Sequence, residues 1–277
     1  MSNARERYLR IQAELGGPEV VLTRDTDRPP AREPVPPEQP HEPEPSNGRS
    51  DGQTVRPSDG QTAKRNWRSD APAIPGPGLT ITSPASTDLL SGPPPFASLD
   101  EIALEVSTCT KCTLCSTRRK TVPGEGSPQA RLMCVGEGPG ETEDQTGRPF
   151  VGRAGELLTA MLAAIELPRE EVFIANVVKC RPPQNRKPLP DEMESCLPYL
   201  RRQIQLIKPT VLLALGSTAA EGLLGVKRSL GELRLKVHRW DGIPLIVTYH
   251  PAALLRNPNW KKPAWDDVRI ARQLLGD

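Results

Sequence analysis

Carboxylate, amide, imidazole and thiol groups in this 277-residue chain stand in loops dense with glycine and proline, where chemistry is commonly done. The run Gly136-Glu137-Gly138-Pro139-Gly140-Glu141 puts carboxylates on a rigid loop, and Gly147-Arg148-Pro149-Phe150-Val151-Gly152 sets one Phe among turn residues. Asn176 and His250 each follow an apolar run. There an amide offers a donor and an acceptor side by side to a planar heterocycle, and an imidazole a donor near neutral pH. Each has an ordinary alternative: a turn-rich βα connection, a capped turn, a structural histidine.

The thiols fall into two pairs. Cys109 and Cys112 have two residues between them, and Cys180 and Cys196 have fifteen. Four thiolates from two segments could close on Zn²⁺ or on an iron–sulfur cluster. Spacing leaves zinc, cluster and unligated buried thiols open, although the wide second pair is unlike a zinc ribbon. Cys115 extends the first pair as in the opening of a ferredoxin motif, so any of the three could be the spare. Cys134, inside the apolar run Leu132-Met133-Cys134-Val135, reads as a small hydrophobe.

The elements that must position these groups alternate. Apolar runs predict strands at 131–136, 172–178, 211–215 and 243–249, and helical periodicity predicts helices at 153–166, 190–207, 217–224 and 264–275. Ser98 with Glu101 forms a capping-box start for one more helix, through about Ser107. The alternation implies an α/β fold, a parallel sheet with helices on both faces, with its ligand loops at the carboxyl ends of the strands. At that edge Gly216-Ser217-Thr218 opens a helix and suits a phosphate. Lys179, Arg181, Arg186 and Lys187 make a cationic loop, and Leu254-Leu255 between His250 and Arg256 is an apolar tip that could wedge between bases.

Composition divides the chain. Of its 32 prolines, 17 precede Phe96, and residues 50–54 nearly repeat at 58–62 as Ser-Asp-Gly-Gln-Thr. Residues 1–95 read as a disordered tail, with a possible helix at 4–15 carrying Tyr8, Ile11 and Leu15 as a docking peptide for a protein partner. Residues 96–277 read as one α/β domain, mildly basic with 25 Lys/Arg against 21 Asp/Glu. No apolar run approaches the roughly 20 residues that span a bilayer, and no signal-peptide core follows Met1. The expectation is a cytoplasmic protein without disulfides.

Together the motifs resemble the family 4 uracil-DNA glycosylases over about residues 98–275. The resemblance rests on Cys-x2-Cys-x-Leu-x3-Arg at 109–118, Gly-Glu-x-Pro-Gly-Glu at 136, Thr-Gly-Arg-Pro-Phe-Val-Gly-Arg-Ala-Gly at 146, Asn-x2-Lys-Cys-Arg-Pro-Pro at 176, Cys196, and His-Pro-Ala-x-Leu-Leu-Arg at 250. It implies a three-layer sandwich with a central four-stranded parallel sheet, and a [4Fe–4S] cluster on Cys109, Cys112, Cys180 and Cys196, with Cys115 spare. It also implies a monomer of a prokaryotic cytosol acting on uracil-containing DNA.

By that resemblance, Phe150 stacks on a flipped uracil, Asn176 reads its O4 and N3–H, and His250 supports O2. Gly138 contributes to the base pocket, Leu254 fills the vacated stack, and Gly216, Ser217 and Arg256 meet the DNA backbone. Where family 1 enzymes carry an Asp this chain has Gly138, so positioning of water is assigned to Glu137; the Tyr that excludes thymine falls on Gly140. A non-catalytic uracil-recognition module is the alternative from another class. A relative trapped covalently through a His in an inserted basic loop is disfavoured, since no insertion separates Lys179 from Cys196.

Overall fold

The computed structural model describes residues 67–68, 71–82 and 96–276, all within a compact unit, Gly60–Asp277. The helix expected at 4–15 and the repeat at 50–62 lie outside the described residues. Seven strands form one sheet: β1 (Pro77–Ile81), β2 (Glu125–Gly126), β3 (Leu132–Gly136), β4 (Phe173–Asn176), β5 (Val211–Leu215), β6 (Val237–Trp240) and β7 (Ile243–Thr248). Their spatial order is β1-β6-β7-β5-β3-β4-β2.

The central strands β7, β5, β3 and β4 are mutually parallel, in register from Leu212↔Leu245 through Cys134↔Leu213 to Cys134↔Ile174. They are the four that the apolar runs predict. Their side chains alternate between two buried faces, which is why the runs are continuously apolar. Met133, Val135, Leu212, Ala214, Leu245 and Val247 belong to one core, and Leu132, Cys134, Val211, Leu213 and Ile246 to the other.

Among the described residues eight α-helices accompany the sheet: α1 (Leu99–Thr108), α2 (Glu141–Thr146), α3 (Arg153–Ala164), α4 (Pro190–Ile207), α5 (Ser217–Leu224), α6 (Leu230–Leu233), α7 (Pro251–Arg256) and α8 (Lys261–Leu274). The apolar faces of α1, α4 and α5 cover the first core and those of α3 and α8 the second, completing the three layers. Ser98 caps α1 as its sequence predicts, its Oγ accepting from Glu101 N at 3.1 Å.

Two features correct the expectation. The sheet has seven strands rather than four, because β2 and β6 pair antiparallel to the central strands at its two edges and β1 runs alongside β6, parallel to it. The β6–β7 hairpin turns on Asp241-Gly242, both at positive φ (46° and 82°), the two-residue turn that matches strand twist. Moreover, part of the segment read as tail is packed: β1 pairs with β6, and Trp67 is 5 % exposed, donating to Glu166 Oε2 at 3.1 Å beneath the guanidinium of Arg272. Pro77 and Gly78 disguise β1 in the sequence. Gly78 is needed there, since a Cβ would lie 2.5 Å from Nδ1 of His238.

Candidate functional site

The carboxyl ends of the four central strands open on a cleft of about 620 Å³. Its walls gather Glu137 and Gly138 after β3, Phe150 between α2 and α3, Asn176 ending β4, Gly216 and Ser217 after β5, and His250 and Arg256 around α7. The sequence-predicted pocket residues therefore converge.

Phe150 and Asn176 share one corner. Gly136 makes this possible, because a Cβ there would stand 2.4 Å from Asn176 Oδ1 and 2.5 Å from the Phe150 ring. Phe150 holds φ +50°, a left-handed conformation costing a bulky residue about 1–2 kcal/mol. Surrounding bonds enforce it. Arg169 donates to the Phe150 carbonyl at 3.0 Å and to that of Pro149, while Glu143 Oε1 accepts from Val151 N and Gly152 N, each at 2.9 Å. Gly155 completes the clamp, since its missing Cβ would occupy the place of the Phe150 carbonyl. Asn176 is 1 % exposed, and among the described residues its Oδ1 has no hydrogen-bond partner. A buried orphan acceptor costs about 1–3 kcal/mol, so this one is an opening for a ligand's donor.

His250 faces Phe150 across the cleft, ring centroids 5.5 Å apart. As N-cap of α7 it accepts from Ala252 N through Nδ1 at 3.2 Å. A ring nitrogen that accepts carries no proton, so the hydrogen is on Nε2, which is left as a donor. Burial, reinforced by the positive charge of Arg256 and opposed by Glu143, pulls its pKa down to about 4. The site thus presents a neutral imidazole. His238, by contrast, is structural: Nδ1 accepts from Leu79 N at 2.9 Å and Nε2 meets Leu233 O at 2.7 Å.

Two carboxylates line the cleft, Glu137 and Glu143. Glu143 is consumed by backbone, because Gly140 N also bonds its Oε2 at 3.1 Å. That brace escapes a sequence reading, in which Glu143 is one more acid in an acidic loop. Among the described residues no hydrogen bond or ion pair engages the Glu137 carboxylate. Gly138 offers only backbone, as a Cβ would come within 2.7 Å of Val178.

Three loop assignments change. Leu254 is 1 % exposed and packs inward, whereas Leu255 is 39 % exposed, so the apolar side chain at this tip is Leu255. Pro251 and Leu254, three apart on α7, share its inner face. Lys179 is not part of a phosphate-facing loop: it is 1 % exposed, with Nζ donating to the Asn176 carbonyl at 2.9 Å and to Gln203 Oε1 at 2.7 Å. Arg186 and Lys187 are committed to Glu192 and Glu221, each at 2.6 Å.

Behind Asn176, four cysteines border a small cavity: Cys109 capping α1, Cys112, Cys180, and Cys196 on α4; Cys115 is not among its lining residues. Donors aim at three of the sulfurs. Tyr199 Oη reaches Cys109 at 3.4 Å, Arg118 reaches Cys180 at 3.2 Å, and Lys179 N reaches Cys196 at 3.3 Å. Burial pushes the thiol of Cys112 up, likewise Cys180, and that of Cys196 to about 12, with neighbouring cysteines adding to each. Four thiolates here need a cationic centre. The four-cysteine donor set fits an iron–sulfur cluster. Cys134, fully buried with its thiol pushed to about 12, is an inert core residue.

Residues 123–269 match the family model described as the uracil DNA glycosylase superfamily. The chain is 46 % identical over 186 residues to a type-4 uracil-DNA glycosylase of Sulfurisphaera tokodaii, covering 64 % of this chain and 84 % of that one. Against the type-4 enzyme of Thermotoga maritima it is 48 % identical over 181 residues, 64 % and 94 % of the two chains. A type-5 uracil-DNA glycosylase of Thermus thermophilus is 33 % identical over 151 residues, 47 % and 68 %.

Proposed function

Because the chain belongs to the uracil DNA glycosylase superfamily, and is most extensively matched among the relatives above by type-4 enzymes, we propose that it removes uracil from DNA. It hydrolyses the N-glycosidic bond and leaves an abasic site for base excision repair. The observation that carries this reading is the orphaned Oδ1 of Asn176, buried beside an aromatic ring held in place at the cost of backbone strain.

The target base must leave the duplex before its glycosidic bond is accessible. Stacked on Phe150, uracil places N3–H on Asn176 Oδ1 and O4 on the amide N–H. Cytosine reverses both polarities and leaves the buried amide unpaired, which rejects it. As the C1′–N1 bond breaks, its electron pair passes to the base and charge grows on O2, where Nε2–H of His250 donates. A neutral imidazole suits that role, since it carries no proton that must be lost. Water oriented by Glu137, the cleft carboxylate that no described neighbour occupies, adds to C1′ and gives its proton to that carboxylate; an oxocarbenium-like path asks little base strength of it. The backbone of Gly138 forms the floor.

The start of α5, with Gly216 and the exposed Ser217, takes a backbone phosphate, and Arg256 takes another. Leu255, not Leu254, fills the gap in the stack. Cys109, Cys112, Cys180 and Cys196 would hold a [4Fe–4S] cluster, which would supply a structural cross-link between α1, the loop after β4, and α4; the hydrolysis needs no electron from it. The enzyme works as a monomer in a prokaryotic cytoplasm, with the tail engaging a protein partner. Among the described residues no helix is long and apolar enough to cross a membrane.

Incubation with a uracil-containing oligonucleotide, then alkali and a denaturing gel, tests the reading. Strand breakage with turnover supports it. An intact strand bound by the protein points instead to a recognition module, and a covalent adduct to the trapped class.

A further inference from the structure

Beside the pocket runs a ladder of planar groups that the uracil reaction leaves unused. Both carboxylate oxygens of buried Asp267 hold the guanidinium of Arg234, at 2.7 and 3.0 Å. Arg234 lies over the Tyr249 ring at 4.4 Å and bonds its hydroxyl at 3.2 Å. Tyr249 in turn stacks on Trp260, centroids 4.9 Å apart and planes 13° from parallel. The ladder ends there: Trp260 lines the cleft yet remains 38 % exposed. An indole fixed from behind and open in front has already lost most of its freedom, so stacking on it costs little further entropy.

The surroundings select the class of ligand. From His250 to Trp265 the chain carries no carboxylate, while Arg256, Lys261 and Lys262 are all exposed. Exposed cations flanking an oriented aromatic face form a site for single-stranded nucleic acid, the face taking a base and the cations its phosphates. Tyr249 directly precedes His250, which keeps this face within one nucleotide's reach of the uracil pocket.

We propose that Trp260 is a stacking platform for the nucleobase next to the extruded uracil, with Arg256, Lys261 and Lys262 holding the adjoining phosphates. This rests on the uracil-excision reading and adds to it a second base subsite. Occupying it compensates for the unstacking of the neighbour when uracil swings out, and it favours uracil in single strands or frayed ends, where that neighbour is free to move.

Binding of the full-length protein to a single-stranded oligonucleotide carrying a non-cleavable 2′-fluoro-deoxyuridine tests the proposal through tryptophan fluorescence and Kd. The expected result is quenching on binding, with Trp260→Ala weakening Kd on the order of tenfold and Trp260→Phe restoring most of it. Two further oligonucleotides replace either the 5′ or the 3′ neighbour with an abasic spacer. With one of them wild type and Trp260→Ala should bind alike. A Kd for Trp260→Ala equal to wild type, or a loss independent of both spacers, would overturn the platform. Uracil release by wild type is scored separately on the cleavable oligonucleotide, so failure there sinks the excision reading and leaves the stacking result to stand or fall alone.

Discussion

The ammonium of Lys179 donates to the main-chain carbonyl of Asn176 at 2.9 Å, while the main-chain N–H of the same lysine reaches the sulfur of Cys196 at 3.3 Å. One residue therefore ties the backbone of Asn176 to the cysteine cavity. Gln203 steadies it, accepting from Nζ at 2.7 Å and donating to the Pro123 carbonyl at 2.7 Å. Lys179→Met keeps the stem and leaves the Asn176 carbonyl and Gln203 Oε1 without their donor. Stability should fall by about 1–3 kcal/mol. Inhibition by free uracil should also weaken, by roughly tenfold, because the amide is no longer held to the base edge. Uracil inhibition at the wild-type level in a folded variant would confine the lysine to stability.

Asn176→Asp replaces the amide donor with an acceptor in a site 1 % exposed. The uracil O4 then meets an oxygen instead of N–H, and a carboxylate is buried where the amide stood. Excision of uracil should drop by at least about a hundredfold, the scale of discrimination expected when a buried hydrogen-bonding group faces the wrong partner. Single-turnover assays on uracil- and cytosine-containing strands measure both loss and selectivity. Wild-type rates would remove Asn176 from the pocket.

What could be read from the sequence follows the physics of each element. The central strands are buried on both faces, so each reads as an uninterrupted apolar run, and Asn176 and His250 stand out by following such runs. Leu254 and Leu255 could not be told apart, because the phase of a six-residue helix decides which one turns inward. Glu143 and Lys179 look solvated in sequence, one because it stands in an acidic run beside Asp144 and the other because it groups with Arg181, Arg186 and Lys187; only the fold shows backbone N–H groups around one and a carbonyl and an amide around the other. β1 is hidden by Pro77 and Gly78, and its stability comes from pairing with β6, some 160 residues away. The strand reading passes over β6, although Asp241-Gly242 between Trp240 and Ile243 is a hairpin-turn signal.

The neutral tautomer of His250 sets the pH dependence. Its pKa is lowered from 6.5 to about 4, so excision should show no inflection at the pH of an ordinary histidine and should decline only as pH falls toward about 4. Protonation there would put a hydrogen on Nδ1, facing the N–H of Ala252, and disrupt the start of α7. For stability the sign is the same. Between about 4 and 6.5 the unfolded chain binds a proton that the native imidazole does not, so this contribution is complete above 6.5 and lost as pH falls through about 4. His250→Ala should flatten that part of the stability profile and slow excision, with DNA binding largely kept. An inflection near 6.5 in the wild-type rate would contradict the neutral donor.

The cysteine cavity separates cluster from zinc by colour and by what its loss does to the fold. Cys196 lies on α4, Cys109 ends α1, and Cys180 follows β4, so a shared centre closes a loop between elements that otherwise meet through packing and a few side-chain hydrogen bonds, such as Tyr199 Oη to Glu105 at 3.3 Å. Purified protein should carry iron and sulfide and absorb visible light, and Cys196→Ala should lose that absorption together with several degrees of thermal stability. Cys115→Ala, outside the cavity, should keep the colour. Because the cleft residues follow β3, β4, β5 and β7, stripping the centre should first loosen the loop that carries Lys179 and with it Asn176, before the sheet itself unfolds. Hydrogen exchange on stripped protein should then show deprotection at 177–182 ahead of 211–215. A colourless wild type containing one zinc per chain would overturn the cluster, and simultaneous deprotection of both segments would overturn the order of loosening.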